Sequence, residues 1–149
     1  MSLSQQIATD LKEAMKSRDK VRLESLRSIK SAILLAQTEK GAGASLNEEE
    51  ELKILTKLQK QRKDSLAIYE EQNREDLAAE ERAQLAVIET FLPQALSETE
   101  LEDYLKKVIA ETGAESAKDM GKVMGRASKD LAGRADGKTI SAKVRALLS

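Results

Sequence analysis

The segment SAKDMGKVMGRASKDLAGR, residues Ser116–Arg134, combines an apolar stripe with a cationic face on one predicted helix. At 3.6 residues per turn, the apolar side chains that share one side are Met120, Val123, Met124, Ala127 and Leu131. The cations on the opposite face are Lys118, Lys122, Arg126 and Lys129. Gly121 and Gly125 lie between the two faces, where each glycine costs about 1 kcal/mol of helix propensity relative to alanine. We therefore expect either a neighbouring helix backbone or a ligand, such as a phosphate backbone, to come close to this flank.

The composition of the whole chain also favours helix. Among 149 residues there are one proline and seven glycines, and 34% of the residues are charged. Long runs rich in Ala, Leu, Glu, Lys and Gln have high helix propensity, and no segment reads as a strand, so the predicted fold class is all-α. The chain contains neither cysteine nor histidine, which excludes disulfides, a thiol nucleophile and a Ser-His-Asp relay.

Hydrophobic spacing predicts seven helices. On the first helix, the apolar residues that recur every four positions are Leu3, Ile7, Leu11 and Met15. Capping sequences and breaks in the apolar pattern mark the other helices. Their predicted starts lie near Lys20, Glu48, Glu75, Ser97, Ser116 and Asp136.

Pro93, the only proline, divides these helices into two groups. Proline lacks a backbone donor and disfavours helix at the preceding residue, so we expect it to end the fourth helix. The predicted domains are an N-terminal domain of about four helices over residues 1–93 and a small three-helix domain over residues 94–149. Residues 116–149 carry eight cations and three anions, a net charge of +5, although the whole chain carries -1.

Two charged residues fall inside apolar stripes. Arg62 lies near the centre of the stripe on the third helix, and Glu81 lies in the stripe of the fourth. Because a buried charge is costly unless it is paired, we expect Arg62 to meet a carboxylate, with Glu81 the first candidate. The alternative is that both side chains extend to water at the edge of their stripes.

Several kinds of active site are not expected. Adjacent carboxylates such as Glu70 and Glu71 diverge by about 100° on a helix, which does not suit a metal or acid/base site. The chain has no glycine-rich phosphate loop and no dinucleotide fingerprint, so we predict no catalytic residues, no metal and no cofactor. It also lacks an apolar run of about 18 residues and a signal-like start, from which we predict a soluble cytoplasmic protein with no membrane partner.

Binding to RNA phosphates fits the cationic helices better. Lysine and arginine on outward faces contact phosphates, which position an RNA without reading its bases. The three aromatic residues, Tyr69, Phe91 and Tyr104, lie on helical stripes and are interpreted as core residues rather than a base-stacking platform. A stripe on the third helix, formed by Lys53, Lys57 and Lys60, is interpreted as a solvated face. The predicted RNA-binding residues are Lys118, Lys122, Arg126, Lys129, Arg134 and Lys138.

Six short segments along the chain are distinctive in sequence and order. They read RLESLRSIKSAI (Arg22–Ile33), KQRKDS (Lys60–Ser65), NREDL (Asn73–Leu77), FLPQALSE (Phe91–Glu98), KDMGKVMG (Lys118–Gly125) and GRADGK (Gly133–Lys138). Together they closely resemble the GatB/YqeY proteins, specifically the stand-alone YqeY-like branch. The resemblance covers essentially the whole chain, and MGKVMG followed by GRAD is its most specific part.

The resemblance implies an all-helical protein whose C-terminal domain is similar to the tail of the GatB component of the glutamine-dependent Asp-tRNA/Glu-tRNA amidotransferase, a tail associated with tRNA. It also implies a family label of carbon–nitrogen ligase with glutamine as amido donor, although nothing in the chain resembles the catalytic parts of that enzyme. The positions that match the family motif are Gly121, Val123, Met124, Gly125, Gly133, Arg134 and Ala135.

Three functions remain open from the sequence. The leading hypothesis is a noncatalytic accessory module that engages tRNA, or a tRNA-handling enzyme, through its basic C-terminal face. The second is a component of a glutamine-dependent ligase that amidates misacylated tRNA. The third is a protein-interaction module that docks a partner on its long third and fourth helices.

Overall fold

A computed structural model describes residues 2–149 of the chain. Over these residues it contains seven α-helices, one short 3-10 turn and no strand, so the all-α prediction is confirmed. The helices are α1 (Leu3–Ser17), α2 (Lys20–Lys40), α3 (Glu48–Glu71), α4 (Glu75–Glu89), α5 (Glu98–Thr112), α6 (Met120–Asp130) and α7 (Gly137–Leu148). The 3-10 turn, Ala117–Asp119, directly precedes α6.

The chain forms two compact units, one ending at Leu92 and the other spanning Pro93–Ser149. In the first unit, α1 packs on α2, α2 packs on α4, and α3 and α4 form an extensive hairpin. Their shared core consists of Leu3, Ile7, Leu11, Ala14, Leu26, Ile29, Ile33, Leu55, Leu58 and Ile88.

The stripe predicted for α1 is wrong at its last position. Met15 is 54% exposed, whereas Ala14 is fully buried and completes the core face of the helix. Residues four apart advance by about 400°, so each step of the predicted pattern rotates by a further 40°. By the fourth residue this drift has carried Met15 out of the core and brought Ala14 into line with Leu3 and Ile7.

The second unit packs α5, α6 and α7 around a separate core. Ser97, the predicted start of the fifth helix, forms a capping box with Glu100, in which each side chain accepts a hydrogen bond from the backbone N–H of the other at 3.1 Å. Asp136 caps α7 by accepting from the N–H of Thr139 at 2.6 Å. The buried residues of this core are Leu101, Leu105, Val108, Val123, Ala127, Leu131, Ile140, Val144 and Leu148.

Two helix boundaries differ from the predictions. α4 ends at Glu89, before Pro93, and the N–H groups of Phe91 and Leu92 continue through two tighter i→i−3 hydrogen bonds. At α6, Ser116 accepts from the N–H of Lys118 and caps the 3-10 turn rather than the α-helix. Both differences leave the order of the elements unchanged. None of the helices over residues 2–149 is long and apolar enough to span a bilayer.

Candidate nucleic-acid interface

Helix α6 turns its apolar stripe into the core of the second unit and its lysines away from it. Val123 and Ala127 are fully buried, and Met124 is half-buried against the same core. Lys122 and Lys129, on the opposite side of the helix, are exposed. The amphipathic sequence therefore folds locally as its 3.6-residue period requires.

Four of the six predicted RNA-binding residues have ammonium groups outside contact distance of any carboxylate that the structure describes. Within the part of the chain that the structure describes, none of these four side chains makes a hydrogen bond or an ion pair. They are Lys118 in the 3-10 turn, Lys122 and Lys129 on α6, and Lys138 in the first turn of α7. The charge of Lys122 still adds to the lowering of the Asp119 pKa, whose main cause is the hydrogen bond from the backbone N–H of Glu115.

Arg145 is exposed and unpaired as well. Arg145 lies seven residues, or two helical turns, after Lys138 and therefore on the same outward face of α7. The helical period of the sequence is enough to place it there, although it is not among the six predicted residues.

Arg126, by contrast, is engaged with other helices of its own unit. Its guanidinium group pairs with Glu111 of α5, and its Nε lies 3.8 Å from Asp130. The same Asp130 carboxylate accepts a hydrogen bond of 2.6 Å from the hydroxyl of Tyr104. Burial, together with this hydrogen bond, raises the pKa of Tyr104 to about 12. Arg126 thus belongs to a polar network that connects α5 to α6.

Arg134 is also engaged. Its Nε donates to the backbone carbonyl of Gln94 at 3.0 Å, and its own carbonyl accepts from the N–H of Leu96 at 3.1 Å. The preceding Gly133 has φ +78°, a left-handed conformation that glycine adopts at little cost. Gly133 and Arg134 therefore fasten the segment before α5 to the loop between α6 and α7, and the half-buried Ala135 packs against the core.

Lys143 on α7 provides a further contrast with the unpaired lysines. Its ammonium group lies 3.3 Å from Glu98 and 3.5 Å from Glu102, both on α5. The hydrogen bond to Glu98 is the largest cause that raises the pKa of Lys143. Cations that hold this unit together are therefore paired with carboxylates or backbone carbonyls.

The flank that carries Gly121 and Gly125 is open. Both glycines are exposed, and a Cβ added at either one would meet no atom within 4 Å. The expectation that a neighbouring helix backbone approaches this flank is therefore wrong for the residues that the structure covers. The alternative, that a ligand approaches it, stays a prediction.

Two lysines of α3 form ion pairs with acidic residues of the same helix. Lys53 pairs with Glu49 at 3.7 Å and Lys60 pairs with Asp64 at 2.8 Å, each one turn away, as on a solvated helix face.

Arg62 of α3 reaches Glu81 of α4 across the hairpin of the first unit. Its NH1 atom lies 3.3 Å from each carboxylate oxygen, and the two side chains are 27% and 13% exposed. The Nε of Arg62 is buried and has no hydrogen-bond partner. This end-on arrangement leaves part of the guanidinium group unsatisfied.

Residues 2–149 bring together no group of three or more acidic side chains that could hold a metal ion. The features described so far define the protein as a small, two-unit helical protein that displays unpaired lysines on a three-helix scaffold. The chain belongs to the YqeY-like protein family, whose sequence profile matches residues 4–148. The family predicted from the six segments is thereby confirmed.

Three fungal relatives share 32% sequence identity with the chain, and each is named "Altered inheritance of mitochondria protein 41, mitochondrial". The match to the Pyrenophora tritici-repentis protein extends over 145 residues, 93% of this chain and 77% of the relative. The Vanderwaltozyma polyspora match covers 74% of this chain and 63% of the relative, and the Meyerozyma guilliermondii match covers 78% and 61%. The chain thus matches less than two thirds of the length of the last two relatives.

These names contradict one prediction. The cytoplasmic localisation predicted from the sequence is wrong, because the relatives are named as mitochondrial proteins. That prediction rested on the lack of a membrane-length apolar run and of a signal-like start. Such features report on membranes and secretion, and they do not separate the cytoplasm from the interior of an organelle.

Proposed function

We propose that this protein is a noncatalytic accessory module that binds a folded RNA of the tRNA class through the lysines of its second unit. The observation that supports the proposal is the division of that unit's cations into two groups. Arg126, Arg134 and Lys143 are held by carboxylates or a carbonyl, whereas Lys118, Lys122, Lys129 and Lys138 are exposed without such partners. The second group, together with the unpaired Arg145, is free to exchange counterions for phosphates.

The spacing of these lysines suits a phosphate backbone. Lys122 and Lys129 lie two turns apart, about 10 Å along the axis of α6 at 1.5 Å per residue. The open flank at Gly121 and Gly125 lies beside this row, and a backbone could approach it without meeting a side chain. In this unit the aromatic side chain, Tyr104, is half-buried and its hydroxyl group is already bonded to Asp130. Contacts of this kind position an RNA without identifying its bases.

The proposal extends to the function of the resembled tail. Residues Gly121–Gly125 and Gly133–Ala135 resemble the tail of the GatB component of the amidotransferase, and we propose that they serve the same purpose of engaging tRNA. The resembled tail lies outside the catalytic parts of the amidotransferase, so the proposed role is to hold an RNA for another enzyme.

Charge reversal on α6 tests the proposal. We expect Lys122→Glu/Lys129→Glu to weaken binding of purified tRNA at least about tenfold at low salt, and to reduce the salt slope by about 1.4–1.8, as the loss of two phosphate contacts requires. The matched control is Lys57→Glu/Lys63→Glu on exposed positions of α3, which makes the same change in net charge and should leave binding within about twofold. Lysine and glutamate have similar helix propensity, so circular dichroism should show a folded protein, with a small loss of stability because glutamate at position 129 opposes the dipole in the last turn of α6.

Two results would contradict the proposal. One is wild-type protein that shows no salt-sensitive binding to tRNA, or equal losses in the α6 variant and the α3 control. The other is amidation of misacylated tRNA by the isolated protein with glutamine and ATP, which would support the ligase hypothesis instead.

A further inference from the structure

The net charge of -1 conceals a second cationic segment, in the first unit. Residues 12–30 contain seven cations and three anions, a net charge of +4 over only 19 residues. Residues 31–115 together carry -9, and residues 116–149 carry +5. The positive charge of this chain is therefore concentrated in two separate places, of which the α1–α2 segment is the denser.

Six of these seven cations have no partner. Arg22 lies 3.7 Å from Asp10, but over residues 2–149 the other six side chains make neither an ion pair nor a hydrogen bond. All six are exposed. We call them the cationic hairpin, and they are Lys12, Lys16, Arg18, Lys20, Arg27 and Lys30.

The backbone holds the two halves of the cationic hairpin together. Arg18 adopts a left-handed conformation with φ 58°, and the N–H of Asp19 bonds to the carbonyl of Ala14 at 3.1 Å. This tight bend places the last turn of α1 directly beside the first turn of α2. Lys12 and Lys16 are four residues apart on α1, opposite its core face.

The three anions of the segment, Glu13, Asp19 and Glu24, leave it with a net charge of +4, and within residues 2–149 none of them forms an ion pair with a cation of the hairpin. Asp19 is occupied as the N-cap of α2, where its carboxylate accepts from the N–H of Arg22 at 3.1 Å. Glu24 accepts from the amide of Gln84 on α4 at 3.4 Å.

Most other cations of this unit, such as Lys40 with Glu50, are paired, whereas Lys57 and Lys63 of α3 are single unpaired lysines within the described residues. Six like charges repel one another, so the fold gains nothing from leaving them unpaired, and an anionic ligand would relieve the repulsion.

We propose that the cationic hairpin is a second RNA-binding surface, which contacts the phosphates of an RNA. This inference extends the RNA binding proposed above to a different unit and different residues. An acidic protein partner fits less well, because protein interfaces have apolar centres that are depleted of lysine. The exposed large apolar side chains of α1 and α2 are Met15 and Val21 beside the bend and Leu34 and Leu35 one turn beyond Lys30, so none of them lies at the centre of the cationic residues.

Charge reversal of the hairpin, in the full-length protein, tests this inference. Lys12→Glu/Lys20→Glu is suitable because a glutamate at position 12 would lie four residues before Lys16, and a glutamate at the first position of α2 is favoured by the helix dipole. We expect this variant to bind tRNA at least about tenfold more weakly at low salt, with a salt slope reduced by about 1.4–1.8. The Lys57→Glu/Lys63→Glu protein is again the matched control, and it should stay within about twofold of wild type.

The outcomes separate this inference from the proposed function. If the hairpin variant behaves like the α3 control while the α6 variant loses binding, the hairpin inference is overturned and the α6 surface stands. The opposite pattern supports the hairpin and overturns the α6 surface. If wild-type protein binds no tRNA in a salt-sensitive manner, both fail.

Two further measurements complete the test. Should Lys12→Glu/Lys20→Glu fail to fold by circular dichroism, Lys12→Gln/Lys20→Gln replaces it, and an unchanged salt slope in that variant overturns the inference. Retention of a purified acidic protein that is lost in the hairpin variant, with tRNA binding intact, would identify the surface as a protein-binding site and overturn RNA binding there.

Discussion

The hydroxyl group of Tyr104 donates a hydrogen bond to Asp130, and the same carboxylate lies beside Arg126. The guanidinium of Arg126 also pairs with Glu111. An arginine held in this way exchanges a carboxylate for a phosphate rather than releasing counterions, so it contributes less to RNA binding than an unpaired lysine does. Arg126 therefore differs from Lys122 and Lys129, although all three belong to the same predicted cationic face.

The Tyr104 network gives a pH-dependent prediction. In the fold, burial and the bond to Asp130 raise the pKa of Tyr104 from 10.0 to about 12, so folding favours the neutral phenol. The resulting stabilisation is present below pH 10 and is lost as the pH rises through about 12. We expect Tyr104→Phe to lower the free energy of unfolding by roughly 1 kcal/mol at neutral pH and to flatten its fall between pH 10 and 12. Urea titrations of both proteins across that range provide the measurement, and parallel curves would contradict the prediction.

Individual side-chain contacts could be predicted from the sequence only where they are local. The capping box of Ser97 and Glu100 spans three residues, so the sequence alone identifies it. Arg134 instead reaches Gln94, forty residues earlier, and Arg126 reaches Glu111 on another helix. A helical wheel describes one helix at a time, and it cannot indicate which outward cation meets a carboxylate from a neighbouring helix.

At the scale of the elements, helix propensity and caps suffice to predict seven helices in order, but not the exact faces of every helix. The four-residue spacing on α1 predicts Met15 in the core, and the 40° rotation per step places Ala14 there instead. The cationic hairpin could not be predicted from the helical stripes for a related reason. An apolar stripe describes one helix at a time, and only a running count of charge along the chain shows the +4 of residues 12–30.

The Arg62–Glu81 pair, which joins α3 to α4, gives a prediction at this scale. Replacing one partner leaves the other charge half-buried and alone, so Arg62→Met or Glu81→Met should each destabilise the protein by roughly 1–3 kcal/mol. The double variant should be more stable than either single variant. Two methionines fill the space between α3 and α4 without a buried charge, and the unsatisfied Nε of Arg62 is removed. Urea unfolding of the four proteins of this cycle measures the coupling. A coupling energy below about 0.3 kcal/mol would show that the two side chains act independently.

At the scale of the whole molecule, each unit has its own hydrophobic core and its own cationic surface. The buried residues of the first unit come from α1–α4, and those of the second come from α5–α7. Such a division lets a chain with a net charge of -1 carry two positive surfaces, because the acidic residues are concentrated elsewhere.

The second unit should fold alone as a fragment that begins at Pro93. A fragment of residues 93–149 retains the nine buried apolar residues of its core and both bonds between Arg134 and the segment before α5. At fewer than 60 residues its stability is expected to be marginal but sufficient for a cooperative transition.

Shortening the fragment to residues 97–149 removes Gln94 and Leu96 and leaves the half-buried side chain of Arg134 without its acceptor. We expect this change to lower the free energy of unfolding by about 1–3 kcal/mol. Thermal melts followed by circular dichroism compare the two fragments. Equal midpoints would show that the Arg134 contacts do not stabilise the unit, and a broad, non-cooperative melt of the longer fragment would show that Pro93 does not begin an independent domain.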